Sequence, residues 1–215
     1  MVEQKFAPRE VAKRVFAAEI RAIDQELARD TANDKTPRQF LLPTGGAAKR
    51  IFLVGSLTER DDIGGDTEYW RGRVVDPTGN ILIYAGQYQP EAAQVLAELE
   101  LPCYVAVMGK ISLYETEEGK VISSIRAESV AKVDENARKR WILETAHLTA
   151  ERLKTPDPVS REHYGESIKD YEEMVRTAML EFSLVPKKEL ADDEPEQREF
   201  SDDDSEEIDC TRSEE

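Results

Sequence analysis

The sequence predicts a mainly β domain flanked by helices, an α+β arrangement. Between Lys49 and Asp134, short runs rich in β-branched and aromatic residues alternate with turn residues, which is typical of strands. On both sides of this region, apolar residues recur at spacings of three and four, which is typical of amphipathic helices. We therefore expect a β unit at residues 47–134 between an N-terminal segment, residues 1–46, and C-terminal helices, residues 135–186.

The N-terminal segment is predicted to contain one helix over about residues 8–29. Pro8 is tolerated in a first helical turn. One apolar stripe follows at spacings of four, three and four: Phe16, Ile20, Ile23 and Leu27. The prolines and glycines within residues 37–46 then predict a loop that leads into the β unit.

The β unit divides into five strands and one short helix. The strands are predicted at residues 51–58, 68–75, 81–85, 103–111 and 121–133. A turn at residues 76–79 has Pro at its second position and Gly at its fourth, and joins the second strand to the third. Residues 90–99 have a helix-forming composition and end before Pro102. Five strands with a helix between the third and fourth are the order of an OB-fold barrel.

Two C-terminal helices are predicted, the first over residues 135–154. The second begins at Ser160, a residue type that caps helices well. Its apolar residues follow a narrow heptad seam: Tyr164, Ile168, Tyr171, Val175, Ala178 and Phe182. We expect this seam to bind helices of a partner chain, and packing against the chain's own barrel is the alternative.

The charge of the chain is concentrated at its end. The 215 residues carry 29 basic and 45 acidic side chains, a formal charge of −16. Residues 187–215 alone hold fourteen acids and four bases. Such a segment has too few apolar residues to offset the entropy of ordering, so we predict a disordered acidic tail. The tail either keeps the protein soluble or holds a basic partner.

The sequence contains no recognisable catalytic or metal-binding set. His147 and His163 lack the spacing of a zinc motif, and Cys103 and Cys210 form no pair typical of a metal or disulfide site. Residues 45–50 lack the spacing of a phosphate-binding loop and lead into a strand. We therefore expect a protein that is not an enzyme and that uses neither a metal nor another cofactor.

The sequence also predicts a cytoplasmic, nucleoid-associated protein without a membrane partner. No run approaches the roughly 18 apolar residues that span a bilayer. The first fourteen residues carry charges where a secretory signal would carry an apolar segment.

The strongest binding signal lies on the second predicted strand. Alternation places Tyr69, Arg71 and Arg73 on one face, and Trp70 and Val74 on the reverse. Arginine pairs with phosphate and stacks on bases, and an aromatic ring stacks on any base without reading sequence. In an OB-fold this strand belongs to the face that commonly binds oligonucleotides.

Residues on the other strands and in the loops extend this surface. The predicted nucleic-acid-binding set is Tyr69, Trp70, Arg71, Arg73, Tyr84, Tyr88, Lys110, Tyr114 and Arg126. For the arginines the alternative is solvation or salt bridges to local acids, and for Trp70 and Tyr84 it is core packing. Gly72 either permits close approach of a ligand or marks a bend in the strand.

The chain resembles the archaeal replication protein A-associated proteins, which are OB-fold partners of archaeal replication protein A. The resemblance extends from about Arg9 to Leu153, with most of its specificity at residues 68–79 (EYWRGRVVDPTG) and 84–92 (YAGQYQPEA). Supporting segments are residues 14–19 (RVFAAE), 42–45 (LPTG) and 52–55 (FLVG). After about residue 155 the chain departs from the usual pattern of that family.

The resemblance implies a subunit of a single-stranded-DNA-binding complex in replication, repair and recombination. Such a subunit acts without a cofactor, and its partners are single-stranded DNA and replication protein A subunits in a hetero-oligomer. Trp70, Arg71, Arg73 and residues 76–79 match the core motif of the family by position. Two alternatives remain: a scaffold subunit that does not touch DNA, and a stand-alone RNA-binding module, since stacking hardly distinguishes the two sugars.

Overall fold

Eight strands and five helices occur in the computed structural model, which describes residues 11–27, 38–155, 157–165 and 168–183. The strands are β1 (Lys13–Arg14), β2 (Phe40–Leu41), β3 (Ala47–Ala48), β4 (Arg50–Asp62), β5 (Tyr69–Asp76), β6 (Gly79–Gly86), β7 (Cys103–Glu115) and β8 (Val121–Lys132). The helices are α1 (Ala17–Arg21), α2 (Pro90–Glu98), α3 (Glu135–Lys154), α4 (Pro158–Tyr164) and α5 (Ile168–Ser183).

The five long strands form a closed barrel. They pair in the order β4, β5, β6, β8, β7, and β7 pairs back to β4, which closes the sheet. The β6–β8 pair is parallel and the other four are antiparallel. Helix α2 lies in sequence between the third and fourth of these strands. The OB-fold architecture predicted from the sequence is thereby confirmed.

The predicted strand positions agree with the structure except at two ends. β4 continues to Asp62 and β7 to Glu115, each four residues beyond its predicted end. The β4 extension is wholly polar and the β7 extension contains only Leu113 and Tyr114 as large apolar or aromatic residues, so the hydrophobic signal is weak, but the backbones remain paired with the neighbouring strands. Asp62, for example, lies opposite Trp70.

The barrel interior is filled by alternate residues of each strand, as the two-residue period requires. Fully buried examples include Leu53, Ile83 and Ile125. Helix α3 packs on the barrel through Trp141, whose Nε1 atom donates a hydrogen bond to the Phe52 carbonyl at 3.2 Å. One apolar core therefore joins the barrel to the C-terminal helices.

The long N-terminal helix expected from the sequence is wrong in extent, because α1 has only five residues. Before it, β1 pairs with β4 in parallel, and after it Glu26 forms a β-bridge with Phe40. The predicted stripe is nevertheless buried at Phe16, Ile20 and Ile23. Pairing with distant strands outweighs the local helical pattern at both ends of α1, whereas residues 8–10 and 28–29 lie outside the described residues.

One buried carboxylate, that of Asp76, fixes α1 against the barrel. Its Oδ1 atom accepts hydrogen bonds from the Thr78 amide and hydroxyl at 2.7 Å and from the Gly79 amide at 3.1 Å. Its Oδ2 atom accepts one from the Ala17 amide at 2.7 Å, at the start of α1. The turn between β5 and β6 thus supplies the cap that α1 lacks in its own sequence.

A second buried carboxylate joins α1 to α3. Glu19 is fully buried, and its Oε2 atom lies 2.8 Å from the Arg152 guanidinium. The Glu19 carboxylate also accepts hydrogen bonds from the hydroxyls of Thr44 and Thr149 and from the Phe16 amide. Each carboxylate oxygen is therefore hydrogen-bonded, as a buried charge requires.

The C-terminal region contains three helices where two were predicted. The extent of α3 agrees with the prediction, but the next helix begins at Pro158 and is capped by Asp157, not by Ser160. Ser160 is buried and donates a hydrogen bond to Asp157 at 2.6 Å. Between α4 and α5, Gly165 has a φ of +55°, a left-handed conformation that favours glycine after a helix.

The predicted acidic tail, residues 187–215, lies outside the described residues. Within the described part of the chain, no helix combines the length and apolarity needed to cross a membrane.

Replacing Asp76 tests its role in holding α1. We expect Asp76→Ala to lower the free energy of unfolding by about 2–4 kcal/mol, because four donors lose their acceptor. Urea denaturation at pH 7 measures this change. Asp66→Ala, at an exposed position, is the matched control and should change stability by less than about 0.5 kcal/mol. Equal stabilities of the two variants would contradict the assigned role.

The pH dependence of stability provides a second test. Burial raises the pKa of Asp76 above its ordinary value of 3.8, although the hydrogen bonds oppose this shift. The Asp76 carboxyl therefore loses its proton at a higher pH in the folded protein than in the unfolded chain. As a result, the contribution of Asp76 to stability falls as pH rises from about 3.8 through the pKa of the folded state. We therefore expect the difference in free energy of unfolding, wild type minus Asp76→Asn, to decrease from pH 3 to pH 7. A difference that stays constant over this range would disagree with the raised pKa.

Candidate nucleic-acid interface

Strand pairing aligns four of the predicted binding residues across the outside of the barrel. Arg71 lies opposite Tyr84, Tyr84 beside Arg126, and Arg126 opposite Lys110. Adjacent strands are about 4.8 Å apart, so this row crosses about 15 Å of continuous sheet. We call the surface formed by β5, β6, β8 and β7 around this row the outer face.

A pair of tyrosine rings forms an aromatic platform on the outer face. The rings of Tyr69 and Tyr84 are stacked, with centroids 5.8 Å apart and planes 19° apart. Tyr69 is 42% exposed, and its ring rests directly on Gly86. A Cβ atom at Gly86 would lie 2.5 Å from Cδ2 of Tyr69, so this position requires glycine to keep the ring in place.

The two arginines of β5 are paired with acids of β4. An Arg71 Nη2 atom lies 2.8 Å from Asp61 Oδ2, and Arg73 Nε lies 2.8 Å from Glu59 Oε2. The hydrogen bond with Asp61 raises the pKa of Arg71. Of the alternatives open at the sequence level, salt bridges to local acids are therefore present. Both pairs are exposed, and such pairs contribute little stability, so a phosphate can compete with them.

The other end of the row contains one shared carboxylate and one unpaired cation. Glu128 accepts hydrogen bonds from Lys110 at 2.9 Å and from Arg50 at 2.6 Å. Burial raises the pKa of Glu128, but these two cations outweigh it and the net effect is a lowered pKa. Arg126 is exposed and has no ion pair among the described residues. Arg126 is therefore the cation of the row that an anion can reach without displacing a carboxylate.

Two further predicted tyrosines lie at separate margins of the outer face. Tyr88 is 83% exposed in the turn before α2, where it lines a groove with Lys49 and Lys110. Tyr114 is 65% exposed and lies on the same face of β7 as Lys110, opposite Ile122. Four residues of a strand separate it from Lys110, which is about 13 Å.

The structure does not place Trp70 on the outer face, contrary to its inclusion in the predicted set. Its ring packs against the apolar core on the reverse side of β5, with the Arg60 guanidinium 5.6 Å from the ring centroid. Gly72 has the same orientation, and a Cβ there would lie 2.9 Å from Leu57 Cδ1. Core packing is therefore the correct alternative for Trp70, and the small size of Gly72 accommodates the core and not a ligand. Tyr84 lies on the outer face.

Sequence reasoning missed Arg38 and Lys49, which line grooves beside Lys110. One groove of about 610 Å³ and another of about 390 Å³ share Lys49 and Lys110. Arg38 lines the second groove and lies before the barrel in sequence, where no motif marked it. Only the folded position of the N-terminal segment brings it to the sheet.

The predicted heptad seam is covered within the chain wherever its side chains are described. Ala178 is fully buried, and Val175 packs against the core. Burial raises the pKa of Tyr171 to about 12, and the Tyr164 hydroxyl donates to the Leu41 carbonyl at 3.1 Å. These contacts agree with the alternative of packing within the chain, while Tyr164, Tyr171 and Val175 remain partly exposed. The side chains of Ile168 and Phe182 lie outside the described residues.

Comparison with known proteins supports the fold. No protein-family model matches the chain, and no curated protein matches it by sequence. The chain is similar to a crystal structure of the S. pombe Stn1–Ten1 complex, with 15% identity, a TM-score of 0.53, and coverage of 72% of this chain and 99% of that chain. This similarity independently supports the OB-fold.

Two single-stranded DNA-binding proteins match a smaller part of the chain. The second such protein of Mycobacterium smegmatis, SSBb, has 21% identity and a TM-score of 0.33, covering 40% of this chain and 87% of that chain. The protein from Thermus aquaticus has 17% identity and a TM-score of 0.34, covering 41% of each chain.

Removing the shared carboxylate tests the electrostatics of the row. We expect Glu128→Gln to lower the free energy of unfolding by about 1 kcal/mol at pH 7, since Lys110 and Arg50 lose their common partner. Because the pKa of Glu128 is lowered from its ordinary 4.5, its stabilisation is complete above that value and is lost as pH falls through the folded pKa. The effect should therefore become smaller as pH falls from 7 to 2.

Urea denaturation at both pH values measures this difference. Glu117→Gln, in the exposed β7–β8 loop, is the control and should leave stability unchanged at either pH. An effect of Glu128→Gln that persists undiminished at pH 2 would be inconsistent with an ionised Glu128 as its cause.

Proposed function

We propose that this chain is a non-catalytic subunit that binds single-stranded DNA on its outer face. The observation that carries the proposal is the row of Arg71, Tyr84, Arg126 and Lys110 on one continuous surface, with Tyr69 stacked on Tyr84. Cations along a backbone path beside an aromatic platform are the combination that single-strand recognition requires.

The chemistry favours single strands over a duplex. Bases must be unstacked from each other to lie on Tyr69 and Tyr84, and such stacking contributes about 1–3 kcal/mol per base. Arg126 and Lys110 can hold phosphates, and Arg71 can exchange Asp61 for a phosphate. None of these contacts depends on base identity, so we expect binding with little sequence preference.

The finer proposal is a replication protein A-type complex acting in DNA replication, repair and recombination. Its support is the resemblance of residues 68–79 and 84–92 to the archaeal replication protein A-associated proteins. The matching S. pombe structure is of a complex of Stn1 with Ten1, which favours a hetero-oligomeric assembly here as well. A cytoplasmic, nucleoid-associated location is part of the same proposal.

The acids beside the arginines limit the affinity of the isolated chain. Asp61 and Glu59 occupy Arg71 and Arg73, and the whole chain has a formal charge of −16. A negative protein repels DNA at long range, so attraction must come from the local cations or from a partner subunit. Binding should therefore be weak at physiological salt and strongly salt-dependent.

The main experiment is fluorescence anisotropy of a labelled oligo-dT titrated with the purified full chain at two salt concentrations. Duplex DNA and an RNA of equal length are the controls. Saturable, salt-dependent binding that prefers single-stranded DNA supports the proposal. A preference for RNA favours the alternative of an RNA-binding module. A folded chain that binds none of the three contradicts the DNA-binding proposal.

Substitutions on the outer face locate the site. Arg71→Ala with Arg73→Ala should weaken binding and reduce the slope of log K against log salt by about 0.7 for each lost phosphate contact. Arg140→Ala with Arg161→Ala is the matched control, since both arginines are exposed and lack an ion pair among the described residues. Equal slopes for the two double variants would place the DNA elsewhere.

Removing the competing acids should have the opposite effect. Asp61→Asn with Glu59→Gln removes the acid paired with each guanidinium and so two repelling charges. We expect a roughly tenfold gain in affinity at low salt, about 1.4 kcal/mol, because two phosphate contacts become available without displacement. Anisotropy titration measures the gain, and an unchanged or lower affinity would show that these arginines do not contact the strand.

The scaffold alternative is favoured by one observation, the pairing of the β5 arginines with acids. In that alternative the barrel positions a DNA-binding partner and does not itself touch DNA. Two results together would support this alternative. The isolated chain would not bind DNA, and a complex with its partner would bind DNA with an affinity that Arg71→Ala and Arg73→Ala leave unchanged.

A further inference from the structure

A separate cleft of about 270 Å³ lies beside the outer face, at the end of the β5–β6 hairpin. Three cations line it: Arg21 of α1, Arg73 of β5, and Lys120 from the segment before β8. The amide of Asn80 also lines the cleft, and no Asp or Glu is among the described residues of its lining, although Glu59 pairs with Arg73 from outside it. Its lining is therefore positive, within a chain that is negative overall.

Arg21 reaches this cleft because α1 is fixed on the hairpin turn. The Asp76 carboxylate and the Thr78 hydroxyl bind the first amides of α1. As a result, Nη1 of Arg21 lies 3.4 Å from the position that a Cβ on Gly79 would occupy. Neither Arg21 nor Lys120 has an ion pair among the described residues, so both charges can reach an anion directly.

Arg73 retains hydrogen-bonding capacity towards the cleft. A guanidinium has five N–H groups. Two of them donate to Glu59 and Asn80. The remaining three can donate to the oxygens of a phosphate while both of these contacts are kept.

A buried hydroxyl beside the cleft has unused hydrogen-bonding capacity. Ser123 is only 6% exposed and lines the same cleft. Its Oγ atom is buried and has no hydrogen-bond partner among the described residues. An unpaired buried polar atom costs stability. A phosphate oxygen in the cleft would supply the partner that Ser123 lacks.

The grooves beside Lys110 are the competing candidates, and each of them contains carboxylates. Glu91 and Glu128 line the larger groove, and Glu26 lines the smaller one. The smaller groove is lined by four cations and one acid and the cleft by three cations, so the two linings carry the same net charge. The cleft of Arg21, Arg73 and Lys120 is the smallest of the three and differs in having no carboxylate in its lining.

We infer that this cleft binds a backbone phosphate of the DNA strand on the outer face. The inference rests on the proposed function. Arg73 belongs both to the outer face and to the cleft, and lies four residues, or about 13 Å, along β5 from Tyr69. A strand that leaves the tyrosine platform towards the hairpin end therefore reaches Arg21 and Lys120. The cleft anchors the strand on the side opposite Tyr88.

The test compares oligo-dT binding by the full chain and two double variants over a salt series. Arg21→Ala with Lys120→Ala removes two cleft cations that lie outside the predicted binding set. Lys132→Ala with Arg140→Ala is the matched control, with the same loss of one lysine and one arginine, both exposed. We expect the cleft variant to reduce the salt slope by about 1.4, from two lost contacts, and the control to change it by less than about 0.3.

Ser123→Ala provides a second variant that leaves every charge in place. We expect it to weaken binding two- to fivefold with an unchanged salt slope, because a hydrogen bond from an uncharged donor is lost and no counterion is involved. Its stability should be at least that of the wild type, since the hydroxyl has no partner in the free protein. Unaltered affinity in Ser123→Ala would remove Ser123 from the site.

The outcomes separate the two proposals. Binding by the wild type with a reduced slope only in the cleft variant supports the cleft as a phosphate site. Binding by the wild type with equal slopes in all variants overturns the cleft and leaves the proposed function in place. Absence of binding by the folded wild type overturns the proposed function and the cleft with it.

Discussion

The position of the N-terminal segment depends on the carboxylate of Asp76. One oxygen closes the turn between β5 and β6, and the other caps α1. Together with the Thr78 hydroxyl, which accepts from the Ala18 amide, this carboxylate joins the hairpin and the helix into one unit. From that unit, Glu19 points towards α3 and Arg21 towards the outer edge of the barrel. A motif that resembles a DNA-binding family thus includes residues whose direct role is structural.

On the outer face most cations are paired with acids, so the surface is not a simple basic patch. Arg71 and Arg73 are each held by one acid, and Lys110 shares Glu128 with Arg50. Such pairing fixes the side chains in place and prevents the face from attracting every polyanion. Under the proposed function, aromatic stacking on Tyr69 and Tyr84 is what distinguishes nucleic acid from other anions. The paired acids then lower the affinity of the isolated chain for any polyanion.

The sequence predicted the barrel because its signals are local. Alternation, the turn at residues 76–79 and the composition of α2 each act within a few residues. The prediction of a long N-terminal helix was wrong because β1 pairs with a strand nearly forty residues away in the sequence. A local pattern carries no information about such a distant partner. The predicted helix start at Ser160 was wrong because Asp157, and not Ser160, caps α4.

The candidate site was predicted only in part, because the sequence reveals local patterns but not the register between strands. Alternation correctly separated Tyr69 from Trp70, but only strand register could align Arg126 with Lys110. That register passes through a bulge between Met108 and Gly109, which no alternation rule reveals.

The ion pair of Glu19 and Arg152 has a consequence for where the domain ends. The two residues are 133 positions apart, yet the carboxylate is fully buried. A fragment that stops after the last barrel strand would leave this charge without its partner, at a cost of about 3–5 kcal/mol. That is a large fraction of the roughly 5–15 kcal/mol that stabilises a typical domain. The smallest fragment that keeps this buried ion pair therefore includes α3 as well as the barrel.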